Sequence, residues 1–263
     1  MLVYYLTPIC FLVAGLIGKT VVHPPPDITA QESSATLDST LTRLGDLGLH
    51  STVADFFWIY TNLESDLEHY EGGDLNNWMH RRFELISHLD ELFYENYLWG
   101  GQFLMIVKDD LIGAEKLLGD GLKHYPEDLN LNWQMGYLMA YELRDLKRAY
   151  PYFLKVKNSP NRPPMFDTLF ARLSSDTLSP TDSLTITYQS WQQAKDDSPL
   201  KERLGLLVYS MKAQIDLNCL NEGKSGCETK DFEGKPYRNE KGVWTASKPL
   251  LKTGLHFPKK KSN

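Results

Sequence analysis

The chain has 263 residues, 42% hydrophobic and 24% charged, with 28 Lys and Arg against 34 Asp and Glu for a formal charge of -6. This composition excludes disorder, collagen and a multi-span membrane protein, and the length holds one elongated domain or two ordinary ones. Three cysteines are too few for a disulfide-rich fold, and a general nucleic-acid binder needs a basic stripe that the acidic body lacks.

Residues 2–18, LVYYLTPICFLVAGLIG, carry no charge, and apolar Val21 and Val22 resume after Lys19. The length is borderline for a membrane span and long for the core of a cleaved signal. No clean Ala-x-Ala-like cleavage site follows, so residues 1–22 are expected to form a retained single-pass anchor. A cleaved signal and a terminal helix buried in a protein partner are the alternatives. Lys19, taken alone, favours a cytoplasmic body, whereas a short anchor before one folded domain more commonly leaves that domain outside. The expected location is therefore a membrane with the body in the periplasm. His23-Pro24-Pro25-Pro26-Asp27 lies within a stiff extended spacer, residues 23–34.

From residue 35 to 218 the apolar residues fall at helical spacing, in stretches broken by Gly, Pro, Asp or Asn. Val53, Phe56, Phe57, Tyr60, Leu63 and Leu67 make one stripe, and Trp78, Phe83, Leu85, Ile86 and Leu89 another. Helix pairs are predicted over 93–107 with 111–125 and over 129–143 with 146–156, each pair followed by Pro126 or Pro160. Further helices are predicted over 165–173, 182–194 and 199–217, although Thr181, Ser183, Thr185 and Thr187 are weak helix formers whose alternation mimics a strand. A helix, short turn and helix cannot bury its faces alone and must stack.

The spacing indicates a repeat. Pro126 and Pro160 lie 34 residues apart, and Ala114 and Ala149 lie 35 apart. Leu98, Gln102, Met105, Ala114, Leu118, Gly121 and Pro126 follow the pattern of large and small positions of a tetratricopeptide repeat. Asn132, Met135, Gly136, Met139, Ala149, Phe153 and Val156 follow it again, with one extra residue assigned to the turn. On these residues, and on LNLNWQMGYLMAYELRDLKRAYPYFLKVKNSPNRPP, the chain resembles bacterial membrane-anchored tetratricopeptide repeat (TPR) proteins over about residues 45–200. The resemblance implies an all-α helical-hairpin solenoid that scaffolds protein partners without chemistry of its own. Leu98 and Asn132 depart from it where the repeat prefers tryptophan.

Residues 219–247 read as a small hairpin module, with turn signals at Glu233-Gly234 and Lys241-Gly242 around Tyr237 and Val243-Trp244. Cys219 and Cys227 form a disulfide if the body is external; free thiols and, with no second pair or nearby histidine, a metal site are the other readings. Residues 248–263 form a basic tail holding Lys248, Lys252, Lys259, Lys260 and Lys261, read as solvated and frayed.

No Gly-rich phosphate loop, HExxH, GxSxG or CxxC is present. His80, Glu84 and His88 share a helix face at spacings of four, which suits a salt-linked exposed face better than a metal site. Asp109 and Asp110 suit a turn and a helix start. The expectation is no enzyme, no cofactor and no metal. The function expected is a membrane-anchored scaffold for protein partners, with a permanent subunit of a larger envelope complex as the alternative and a metal-dependent or thiol enzyme as the third and weakest reading. Gln134, Tyr137, Tyr141 and Arg144 are the expected partner-binding residues, because they lie on or near the first helix of the best-formed unit; packing of both tyrosines against the next helix is the competing reading.

Overall fold

In a computed structural model of the chain, residues 42, 45, 47–63 and 78–255 are described. The expected anchor, the spacer and Lys259, Lys260 and Lys261 lie outside them. Among the described residues no helix is long and apolar enough to cross a membrane. The described residues are mostly α-helical, with one two-stranded hairpin among them, and the chain divides into two compact units, Met1–Asn96 and Tyr97–Asn263.

In the first unit, α1 (His50–Leu63) packs on α2 (Trp78–Leu89). Met79, Phe83, Leu85, Ile86 and Leu89 of α2 are buried, and the Trp58 ring lies 5.8 Å from Phe83 and 5.6 Å from Phe93. Of the α1 stripe read from the sequence, Val53 and Phe57 are half-buried and the rest of its described members face outward. Phe56, Ile59, Tyr60 and Leu63 are exposed, while Ala54 and Thr61 are the buried positions. Ala54 and Thr61 let α1 approach α2, Phe57 and Trp58 are half-buried, and Phe56, Ile59, Tyr60 and Leu63 remain outside. Leu67 lies outside the described residues.

In the second unit the helices follow one another across short connections. They are α3 (Tyr94–Gln102, entering this unit at Tyr97), α4 (Leu111–His124), α5 (Leu129–Tyr137), α6 (Leu146–Asn158), α7 (Phe166–Thr177), α8 (Pro180–Gln193) and α9 (Pro199–Asn221). Each packs chiefly on its chain neighbours. Polar side chains set most starts: Asp110, Asp128, Asp145, Ser179 and Ser198 each accept a bond from a backbone amide of the first turn. Pro180 and Pro199 follow the last two, where a missing amide proton costs little.

The α3–α4 and α5–α6 pairs repeat each other at an offset of 35 residues. Both first helices end in a π turn, Phe103–Val107 in one and Leu138–Glu142 in the other. In both, a residue in the left-handed region follows (Asp109 at φ 53°, Arg144 at 58°), then the aspartate cap. The cap amides donate to equivalent carbonyls, Asp110 to Leu104 at 2.9 Å and Asp145 to Met139 at 2.8 Å. The residue beyond 34 therefore sits in the π turn at the end of the first helix in both pairs, rather than in the connecting turn of the second alone. This corrects the register of the first pair. Gly101, not Gln102, is the close-approach position: a Cβ there would lie 2.6 Å from Leu118, as one on Gly136 would lie 2.7 Å from Phe153.

The α7–α8 pair reaches its cap, Ser179, 34 residues after Asp145, and α7 has no π turn. Its second helix buries Ser183, Thr187 and Ser190 where α6 buries Ala149, Phe153 and Val156. Their hydroxyls donate back to Pro180, Ser183 and Ile186 carbonyls. That is how a weak helix former is accommodated as helix rather than strand. Between α6, α7 and α8, Asp167 accepts from Lys157 at 2.5 Å and Arg162 at 3.2 Å, and Lys157 also donates to Ser190.

The strands β1 (Arg238–Glu240) and β2 (Val243–Thr245) pair antiparallel around Lys241-Gly242. Tyr237 and Trp244 pack with Ala213, Leu217 and Leu220 of α9, and Asn221 bonds the Trp244 backbone in both directions. Cys219 and Cys227 are joined in a disulfide. The tail expectation changes here. Lys248 donates from its amide to the Tyr209 hydroxyl, Leu251 to Ser210, and Leu255 to Asp176, so residues 248–255 are fastened along α9 and α7.

Candidate functional site

The expected partner-binding residues all fall on α5 and its continuation. Gln134 and Tyr137 lie in α5, Tyr141 in the π turn and Arg144 in the turn beyond. The structure brings the two tyrosines together: their rings stack at 4.9 Å with planes 22° apart. Both are half-buried, and burial is the first cause that pushes the Tyr141 hydroxyl above the ordinary phenol range. A negative charge on Tyr137 would add to that rise, and the Arg172 cation partly offsets it.

Gln134, half-buried, precedes Tyr137 by one helical turn. Arg144 is exposed, and its backbone occupies the left-handed position that Asp109 holds one repeat earlier. Spacing suggested a contact residue at 144; the geometry gives that position a turn-forming task as well.

Arg172 of α7 was not legible as a site residue. It lies 35 residues after Tyr137, the structural period, and its charge acts on Tyr141. Its guanidinium Nε is buried with no hydrogen-bond partner. The period itself was the available signal, but a missing partner is a tertiary property.

A cleft of about 720 Å³ opens between the start of α9 and the C-terminal module, lined among others by Trp191, Tyr209 and Phe232. Trp191 and Phe232 meet edge-on at 5.3 Å. Lys201 and Lys248 stand 5.0 and 5.7 Å over the Trp191 and Tyr209 rings. Both cations are already paired, Lys201 with Asp196 at 2.6 Å and Lys248 with Glu233. Each aromatic face thus holds a cation that is itself neutralised, a structural arrangement rather than a charged receptor.

His80, Glu84 and His88 lie on α2. Among the described residues no group of three or more His, Cys, Asp or Glu is placed to hold a metal ion. Compared with protein-family models, with curated proteins and with solved structures, the chain shows no match to any of them.

Proposed function

We propose that this protein is a non-enzymatic scaffold of the tetratricopeptide type, attached by residues 1–22 to a bacterial membrane with its body in the periplasm. Its work is to hold a protein partner against the first helices of its repeats, around Gln134, Tyr137, Tyr141 and Arg144. The observation that carries this reading is the 35-residue recurrence of one helix–π turn–cap–helix unit, each with a glycine beneath a bulky side chain of the second helix. Units of that kind gain stability by stacking and leave long helix faces free for binding. The half-buried tyrosine stack adds rigid, amphipathic contact area of the sort that anchors interfaces. The disulfide agrees with an oxidising compartment.

A permanent subunit of a larger envelope complex is the second reading. It is favoured by the α1 face of Phe56, Ile59, Tyr60 and Leu63, which is apolar and exposed. Affinity capture of the detergent-extracted full chain, with stoichiometric identification of companions, tests both. The scaffold reading expects Tyr137→Ala with Tyr141→Ala to lose the companions while Phe56→Ser with Leu63→Ser keeps them. The reverse pattern favours the subunit reading, and capture unaffected by either pair rejects both surfaces.

A further inference from the structure

Opposite its buried Ala54 and Thr61, α1 carries an uncharged row. Thr52, Phe56, Ile59, Tyr60 and Leu63 recur at helical spacing and are all exposed, Phe56 at 63%, Ile59 at 58% and Leu63 at 76%. Exposed Leu49 lengthens the row, since its carbonyl accepts from the Val53 amide at 3.0 Å. From Leu49 to Leu63 the row runs roughly 20 Å at helical rise. Asp55, the one acidic residue of α1, projects about a quarter-turn to its side. The Phe56 and Tyr60 rings stack at 6.0 Å with planes 6° apart, and the Arg82 guanidinium of α2 stands 5.0 Å over the Tyr60 ring. A contiguous apolar face of this kind marks an interaction surface.

We propose that this row of α1 lies on the lipid bilayer, as a second point of attachment beside residues 1–22. The proposal rests on the anchor reading above and adds to it a docking face. The chemistry of the row favours lipid over protein. Protein interfaces carry about one hydrogen bond per 100–200 Å², whereas the row offers only the hydroxyls of Thr52 and Tyr60. The margin of a hydrocarbon phase asks for neither charge nor directed bonds, and helices with such a face lie in its plane. Tyrosine suits that margin because its ring is apolar and its hydroxyl reaches water. Arg82 sets a cation beside the same ring, and a phospholipid likewise presents its phosphate next to its acyl chains. Connectivity points the same way. Residues 23–49 join the row to the uncharged run 2–18, and a segment of that length spans at most roughly 90 Å, so α1 stays within reach of the bilayer. Tethering makes docking an intramolecular step, for which a short apolar row is enough.

The experiment places the full chain in phosphatidylcholine nanodiscs, one chain per disc, with a fluorescent amino acid substituted at Ile59 or, as a control, at exposed His88 of α2. The quencher is phosphatidylcholine brominated on its acyl chains. Emission at 59 is expected to be blue-shifted and quenched at least fivefold more strongly than emission at 88. Phe56→Ser with Leu63→Ser is expected to remove that difference while keeping the far-ultraviolet spectrum, because both side chains face outward. Absent quenching at 59, equal quenching at 59 and 88, or quenching that survives the double substitution overturns the proposal. A blue shift without quenching that grows with the number of chains per disc means that a second copy covers the row, and it overturns the proposal as well. The anchor is read separately, from co-elution with the discs. A chain that co-elutes but is unquenched at 59 keeps the anchor and loses the docking face, whereas a chain that does not co-elute loses both.

Discussion

The Tyr237 hydroxyl donates to Asp216 Oδ2 at 2.8 Å, tying the start of the C-terminal hairpin to the last turns of α9. Asp216 also accepts from Lys212 at 2.7 Å, so one carboxylate serves both its own helix and the module lying on it. Tyr237 is only 5% exposed. Burial first, and then the bond to Asp216, push its hydroxyl well above the ordinary phenol value of 10.0.

An ionised Tyr237 would face Asp216 in a buried site, so the folded state favours the neutral phenol. Its stabilising contribution is complete below the unfolded value and is lost as pH rises through 10 toward the raised folded value. Tyr237→Phe is expected to cost about 1.5 kcal/mol at pH 7. The gap between the two proteins in urea unfolding should narrow above pH 10. A constant gap would contradict the coupling.

Glycine-to-alanine changes should have opposite signs along the repeat. A Cβ at Gly136 meets the fully buried Phe153 ring at 2.7 Å, so Gly136→Ala is expected to destabilise by about 2 kcal/mol. Gly119, inside α4, has nothing nearer than Met135 Cε at 3.7 Å. Gly119→Ala should raise stability by up to about 1 kcal/mol through helix propensity. Thermal unfolding of the two variants checks the pair, and equal signs would reject the proposed register.

Asp167 is 7% exposed and answers both Lys157 and Arg162. Asp167→Asn leaves two poorly hydrated cations without their anion and is expected to cost about 3 kcal/mol. Replacing Lys157 by Met in that background should recover part of the loss. Denaturant titration of the single and double variants measures the coupling.

Reducing the Cys219–Cys227 bond should loosen the module before the helices. The loop is short, so the loss is on the order of 2 kcal/mol. Hydrogen exchange is expected to quicken over residues 220–247 while α5 and α6 keep their protection.

The helices were readable because their boundary signals act locally. Asp110, Asp145, Pro180 and Pro199 stop or start helices through their own backbone and side-chain chemistry. The hairpin at Lys241-Gly242 follows for the same reason, with Lys241 at φ 54° and Gly242 at 89°. The π turns were not readable, since an added residue shifts the count equally whether it sits in a turn or in a helix. The exposed side of α1 was hidden because a stripe of Phe56, Tyr60 and Leu63 looks the same whether a neighbour covers it or not. The docking of residues 248–255 rests on bonds that their amides donate to Tyr209, Ser210 and Asp176, which lie far back in the chain. For the candidate site, Tyr137 and Tyr141 were legible from their place on the repeat, and Arg172 was not.

Photo-crosslinking in intact cells tests the partner surface most directly. Benzoylphenylalanine placed at Gln134, beside the tyrosine stack, is expected to give a discrete adduct with another protein. The same residue placed at exposed Lys147 on α6 is expected to give none. Adducts at 147 with none at 134 would contradict the account.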